Sequence, residues 1–376
     1  MGIADWPPIT TEELRRLARH APCLGAAPSV LWRSPRPFSA AARVGGRDGE
    51  VFVKRHDARV RKASAVLEEH AFLAHLHTRG AAVPRVLPLV GADGQPTTAL
   101  ELSGAVYELH SLAPGVDLYG DAHSWSPVRS VAHAAALGAA LAALHRAAEG
   151  YTAPARAPRP LMGGFDVAGA ADAAQGLDGY LARRPALAAY LDHPPAAAVG
   201  PVPGRAPIVQ AIAPWLERLQ PWRAQLPPLW VHNDLHASNA FWSEAGAAAQ
   251  VRCVVDFGLC NLGCAMADLA IALERNTIAW LEAGGELGRP DLARALVRGY
   301  QAVRPLGAAE RAALPLLLPL CQVEFALSEL DYFVNVVQEW GNAALAHPAF
   351  LLGHIAWFGT ANGRAYLDAL SLELGF

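Results

Sequence analysis

The sequence predicts an α+β protein of two lobes, a small β-rich N-terminal lobe and a large, mostly helical C-terminal lobe. Three observations predict it. At 376 residues with 53% hydrophobic content the chain is too long for one simple core. Between Ser29 and Leu112 short β-type runs alternate with Gly-, Ser- and Asp-containing turns around a single helical stretch. From Ser126 onward the composition becomes Ala- and Leu-rich with helical spacing. The expected boundaries are 1–27 for a leading helix, 28–112 for the N-lobe and 113–376 for the C-lobe, with 150–210 as an insertion.

Thr10 and Glu13 form a capping-box signal, and Ile9 can staple onto Leu14, so a helix is expected within residues 9–20. Strands are expected at Ser29–Arg33, Ala41–Val44 and Val51–Val53, with Gly45-Gly46 and Asp48-Gly49 as turns. The turn Ser34 to Ser39 falls where a phosphate-covering loop would lie. It has no G-x-G-x-x-G, so a nucleotide contact there would use backbone N–H groups and the Ser39 hydroxyl. Lys54 closes the run Val51-Phe52-Val53, and an isolated Lys in that place is ordinarily a solvated strand end. An amphipathic helix from Val60 to His77 follows, with Glu68 and Glu69 near its middle. A strand Lys held by a helix Glu is how kinases fix a phosphate contact, and Glu69 is the favoured partner; a solvated helix face is the plainer reading.

Thr97–Leu102 and Ala105–Leu112 read as a hairpin turning at Ser103-Gly104. Its second strand, carrying Glu108 and His110 and running into Pro114-Gly115, falls where a backbone edge could meet a purine. Pro127–Ala148 is a long Ala/Leu helix, too polar at His133, His145 and Arg146 to span lipid. Residues 150–210 read as an irregular, Ala/Pro/Gly-rich insertion with a helical island at Leu177–Leu191, and a helix resumes at Ala213–Leu219. Further helices are expected at Asp268–Trp280, Asp291–Arg304, Ala308–Leu318 with a kink at Pro315, Cys321–Gln338 and Pro348–Asn362.

The chemistry concentrates in Leu229 to Asp268. Two apolar runs, Leu229–Val231 and Val251–Val255, each end in a polar cluster: His232-Asn233-Asp234 with Asn239, then Asp256-Phe257-Gly258. Strand ends would set two carboxylates and an amide side by side. Transfer of a phosphoryl group needs that set: one carboxylate to orient a hydroxyl and take its proton, a second with an amide oxygen to hold Mg²⁺. H-x-D-x-x-x-x-N followed by D-F-G matches the kinase spacing, with Asn233 where protein kinases carry Arg. Asp is also common in plain turns, but one accidental turn explains neither the spacing nor the pairing. His232 is read as orienting the loop through backbone hydrogen bonds. The helix follows D-F-G within twelve positions and no A-P-E occurs, which leaves little room for a protein-docking segment.

With Lys54, Glu69, His232-Asn233-Asp234, Asn239, Asp256 and Asp268 in this order, the whole chain resembles the aminoglycoside phosphotransferase-like small-molecule kinases, a group that includes choline, homoserine and methylthioribose kinases. The resemblance implies a bilobal protein-kinase-like fold, ATP and Mg as cofactors, and a small alcohol as acceptor. It implies that Asp234 is the base, that Asn239 and Asp256 bind Mg²⁺, and that Lys54 contacts the ATP phosphates with Glu69 holding it. Asp268 is similar to the family's helix-start Asp that braces the catalytic loop; a plain N-cap is the alternative, and the role expected of it is structural.

Net charge is −3, which points to neither nucleic acid nor membrane as partner and mildly favours a cationic acceptor. Five cysteines without a C-x-x-C pair suggest reduced thiols, and an N-terminus without an apolar run suggests the cytoplasm. Acceptor identity is expected in the later helices. Glu324 and Asp331 stand among aromatic residues there, and Glu274 and Arg275 follow soon after D-F-G. Acids beside aromatic faces could bind an ammonium; the plainer reading makes them surface acids on a packing helix. The rival from another class is a pseudokinase, a nucleotide-binding or scaffolding module without turnover.

Overall fold

The computed structural model describes residues 6–34, 38–282 and 286–376. The chain divides into two units, Met1–Pro114 and Gly115–Phe376.

In the first unit the Thr10/Glu13 capping box forms, each backbone N–H donating to the other's side chain at 3.2 Å, and starts helix α1 (Thr11–Leu17). A five-stranded antiparallel sheet follows in the order β1-β2-β3-β7-β6. Its strands are β1 (Ser29–Arg33), β2 (Ala40–Gly46) and β3 (Gly49–Asp57), then, beyond the small ribbon β4 (Leu89–Val90) and β5 (Pro96–Thr97), β6 (Leu100–Leu102) and β7 (Ala105–Ser111). Side chains alternate across the pleat. One face buries Ala42, Val44, Val51, Val53, Tyr107 and Leu109 against Ile9, Leu14 and Leu17 of the leading segment.

Two expectations shift here. β3 runs three residues past Lys54, because Arg55 and His56 pair with Tyr107 and Val106 of β7, so Lys54 sits inside a strand instead of closing one. Helix α2 (Ala63–Thr78) begins after a turn in which the N–H groups of Val60 and Arg61 both donate to the Asp57 carbonyl. Residues 35–37 of the expected phosphate loop lie outside the described residues.

The second unit is mostly helical. Its spine is α3 (Val131–Ala148), N-capped by Ser130. By length and composition, at a mean hydropathy of 1.2, this helix could cross a bilayer, yet 61% of it is buried inside the fold. The insertion holds α4 (Ala173–Ala182) and α5 (Pro185–Asp192). Helix α6 (Arg205–Arg223) starts eight residues before the expected Ala213 and passes through Pro214 and Pro221. The prolines mask it in the sequence, while Ile208, Ile212, Leu216 and Leu219 at helical spacing supply the burial that holds it.

Two antiparallel ribbons, β8 (Pro228–Val231) with β11 (Asn261–Cys264) and β9 (Ala240–Trp242) with β10 (Val251–Val254), lead into α7 (Ala265–Thr277). The remaining helices are α8 (Pro290–Val303), α9 (Ala308–Leu317), α10 (Val323–Tyr332), α11 (Trp340–Ala344), α12 (His354–Phe358) and α13 (Ala361–Leu374). α10 widens into a π-helical turn at Phe333–Val337 and does not continue as an α-helix to Gln338. The last predicted helix breaks at Gly359-Thr360, where Thr360 caps a separate α13. α3 and α8 cross at backbone contact: a Cβ on Gly138 would stand 1.9 Å from the Leu296 carbonyl oxygen, and one on Gly299 2.0 Å from that of Ala135.

Candidate active site

The loops 232–239 and 255–260 leave neighbouring ends of the two ribbons, and three groups tie them together. The Val255 N–H donates to the Asn239 carbonyl at 2.9 Å. His232 Nε2 donates to the Val255 carbonyl at 3.0 Å, while Nδ1 accepts from the Asp234 N–H at 3.1 Å, so both ring nitrogens are engaged with backbone. That arrangement assigns the proton to Nε2. The ring edge also packs on Phe257 at 4.7 Å.

Asp268 is fully buried. Its Oδ2 accepts from the His232 N–H at 2.9 Å and from His145 Nε2 at 3.0 Å, and its Oδ1 accepts from the Asn233 N–H at 2.8 Å. Burial alone would push this carboxyl up; the bond and charge of His145, with the backbone donor, hold it below the usual carboxylate range. The plain N-cap alternative fails, because α7 begins at Ala265 and Asp268 lies inside its first turn. Asn233 and Asp256 both sit at φ 64°, the left-handed region that Asn and Asp tolerate best among residues with a side chain.

Asp234 is held by Asn239, whose Nδ2 donates to its carbonyl at 2.9 Å and to Oδ2 at 3.3 Å. Oδ1 makes no hydrogen bond among the described residues; the Arg275 guanidinium approaches it to 3.3 Å. Burial pushes the Asp234 carboxyl up to about 6, with Arg275 pulling it down and the nearby Asp256 charge pushing it up. Two carboxylates that destabilise each other's charge, beside an amide whose NH₂ is engaged and whose oxygen can accept, form an all-oxygen donor set. That set fits Mg²⁺.

Beside Asp234, linked to it through Arg275, lies a group of buried polar side chains: Trp125 Nε1, Arg275 Nε, Trp280 Nε1 and Gln322 Oε1 make no hydrogen bond among the described residues, and Glu274 Oε1 and His354 Nδ1 face each other as an ion-pair contact. They are one connected patch. Arg275 lies over the Trp125 ring at 4.3 Å and the Phe325 ring at 5.2 Å, Glu274 accepts from Gln322 at 2.8 Å and faces His354 at 3.2 Å, and His354 stacks on Trp280 at 3.7 Å. Buried polar atoms are rarely left unpaired, so the patch is built for something that brings donors and acceptors.

The surface-acid reading of α10 is overturned, since all ten of its residues are buried. Glu324 accepts from the Val167 N–H at 2.7 Å and Asp331 from Asn335 at 2.6 Å, so these two acids hold the protein's own backbone and side chains. Burial, then the Asp166 charge, pushes the Glu324 carboxyl up to about 7. Of the expected acceptor acids only Glu274 joins the patch. Trp125, Gln322 and His354 were missed: an isolated Trp in a loop and a His far along the chain carry no spacing signal.

In the first unit, Glu69 is 1% exposed and accepts from Arg61 at 3.1 Å, while Glu68 is exposed. Lys54 stands directly opposite Glu108 in the β3–β7 register. Ser39 immediately precedes β2. Glu108 and His110, on the strand expected to meet a purine, are engaged within the first unit. Glu108 has no exposure, its carboxylate accepts from His56, His70 and His110, and burial, which raises it, is outweighed by those rings, which hold it well below the usual range. The backbone edge beside them is also filled: the Leu109 carbonyl accepts from Leu87 and the Ser111 N–H donates to Arg85, each at 2.8 Å.

A profile for a phosphotransferase enzyme family matches residues 36–306. A homoserine kinase of Gluconacetobacter diazotrophicus is 32% identical over 261 residues, spanning 69% of this chain and 68% of that protein. Another, of Acidiphilium cryptum, is 30% identical over 267 residues, with 69% and 68% covered. Among solved structures, an amicoumacin kinase in complex with AMP-PNP and Ca²⁺ superposes at a TM-score of 0.58 and 14% identity, over 95% of this chain and 94% of that one. A microcompartment-associated aminopropanol kinase does so at 0.56 and 16%, over 93% and 97%. At these identities the structures speak for the fold.

Proposed function

This chain belongs to the phosphotransferase enzyme family, a small-molecule kinase of protein-kinase-like fold, and from that premise we propose that it transfers the terminal phosphoryl group of ATP to the hydroxyl of a small amino alcohol bearing charges of both signs, as homoserine does. The hydroxyl oxygen attacks the γ-phosphorus, the bond from that phosphorus to the ADP oxygen breaks, and the hydroxyl proton passes to Asp234. A carboxyl held near 6 is ionised at neutral pH yet basic enough to accept that proton as the bond forms. Asn239 and Asp256 would hold Mg²⁺, which supplies charge neutralisation on the phosphate oxygens. Lys54, steadied by Glu69, would contact the phosphates.

The observation that carries the reading is the Asp234 Oδ1 atom, without a hydrogen bond among the described residues and beside a buried polar patch that includes both Glu274 and Arg275. The acid suits an ammonium and the guanidinium a carboxylate. A site built of such groups rejects analogues that leave them unpaired. The names of the curated relatives support the same acceptor class.

The test is ATP consumption over a panel of homoserine, aminopropanol, choline, methylthioribose and aminoglycosides, beside an Asp234→Ala control. Homoserine or a close amino alcohol should give the highest kcat/KM, with the control silent. ATP binding without turnover on any acceptor would replace the kinase with a nucleotide-binding module.

A further inference from the structure

The kinase chemistry makes no use of the polar cluster buried in the first unit. On β3, Phe52, Lys54 and His56 share one face of the sheet, and Glu108 and His110 of β7 share it too, since Phe52 pairs with His110 and Lys54 with Glu108. Helix α2 brings His70 to the same point. His70 Nε2 lies 2.7 Å and His110 Nε2 2.8 Å from the same oxygen, Glu108 Oε2, and His56 Nε2 lies 2.7 Å from the other, Oε1. None of the four is more than 7% exposed.

We propose that His70, Glu108 and His110 form a binding site for a divalent transition ion of the zinc class, separate from the Mg²⁺ expected at Asn239 and Asp256. Their ligand atoms all lie within 4.8 Å of one another. A tetrahedral zinc with ligands at about 2.1 Å separates its donors by roughly 3.4 Å, so an ion enters by widening the two contacts to Glu108 Oε2, at 2.7 and 2.8 Å, by about 0.6 to 0.7 Å each. Two imidazoles and one carboxylate select zinc-like ions over Mg²⁺ or Ca²⁺, which demand oxygen. The surroundings supply the outer partners such sites use. Thr98 Oγ1 sits 2.8 Å from His70 Nδ1, which can then donate to it and turn the Nε2 lone pair inward. His56 grips Oε1 and leaves Oε2 to the ion. Lys54 and Arg61 act electrostatically on His56, and their positive charge opposes a dication, so the site should bind more weakly than a closed structural zinc site. An ion there would clamp α2, beside Glu69, onto β7, the strand that pairs with the one carrying Lys54.

The full chain is stripped with chelator and titrated with Zn²⁺ against a chromophoric competitor. One equivalent per chain is expected, with at least tenfold weaker binding in His70→Gln and in His110→Ala. Binding should be unchanged in Asp256→Asn and in His77→Ala, an exposed histidine of the same helix. Circular dichroism identifies any variant that fails to fold, and X-ray absorption at the zinc edge of the unmodified chain, which needs no variant, should show imidazole scattering. No stoichiometric uptake, an all-oxygen shell, or an equivalent that survives His70→Gln but disappears in Asp256→Asn would each overturn the site.

Discussion

Asp234 concentrates the conflict between stability and activity in one side chain. Its carboxyl stands near 6 against an ordinary 3.8, because burial, only partly offset by Arg275, disfavours the charge. A raised folded-state value means that stability is complete below about 4 and declines as pH rises through 6, by about 3 kcal/mol once the group is ionised. Asp234→Asn should therefore raise the melting temperature by a few degrees at pH 8 and leave it unchanged at pH 4, while kcat falls about 10²- to 10⁴-fold. Thermal melts of both proteins at the two pH values decide the first part. In the unmodified enzyme, kcat/KM should drop tenfold per pH unit below about 6, as the base is protonated. The positions of Asp234, Asn239 and Asp256 were legible because the spacing H-x-D-x-x-x-x-N and D-F-G lies along the chain. The Arg275 ion pair to Asp234 was not, since it depends on how α7 is turned and no local pattern encodes that. The His70–Glu108–His110 group escaped for a similar reason: α2 and β7 are far apart in sequence, and only packing brings them together.

At the scale of elements, strands and caps read well and helix ends poorly. β1 begins and ends where its β-branched and aromatic run does, and the Thr10/Glu13 box starts α1, because both signals are local. α6 was shortened by its prolines, a case in which burial of an apolar stripe overrides a local breaker, whereas α13 was lost because Gly359 and the Thr360 cap end one helix and start another where a single helix was expected. The α3–α8 crossing supplies the sharpest test. At Gly138 and Gly299 a methyl group would meet backbone carbonyl oxygen at about 2 Å, far inside contact distance, and neither backbone can yield without parting the helices. Gly138→Ala would gain up to about 1 kcal/mol of helix propensity in isolation. The clash should reverse the sign and destabilise by 3 kcal/mol or more, on the order of the largest single-site effects. Chemical denaturation of the variant against the parent measures it, and a neutral or stabilised Gly138→Ala protein would refute the close crossing.

For the molecule as a whole, the division at Pro114 sorts the proposed functions by unit. Lys54 and Glu69 belong to the first; Asp234, Asn239, Asp256, Glu274 and Arg275 belong to the second. The proposed roles then predict that variants separate by kinetic constant. Lys54→Met should raise KM for ATP at least tenfold and leave KM for the acceptor within about twofold. Arg275→Ala should do the reverse, because it removes the only guanidinium that faces both Asp234 and the unpaired patch among the described residues. Losing a charge-assisted contact of this kind costs about 2 kcal/mol, or roughly thirtyfold in acceptor KM. It also takes away a cation that holds the Asp234 carboxyl down, so the acid limb of the pH profile should move upward in Arg275→Ala and stay in place in Lys54→Met. Initial-rate kinetics over both substrates and pH separate the two outcomes. If both variants raised the same KM and left the acid limb unmoved, Arg275 would be packing the fold and would have no part in holding the acceptor beside the base.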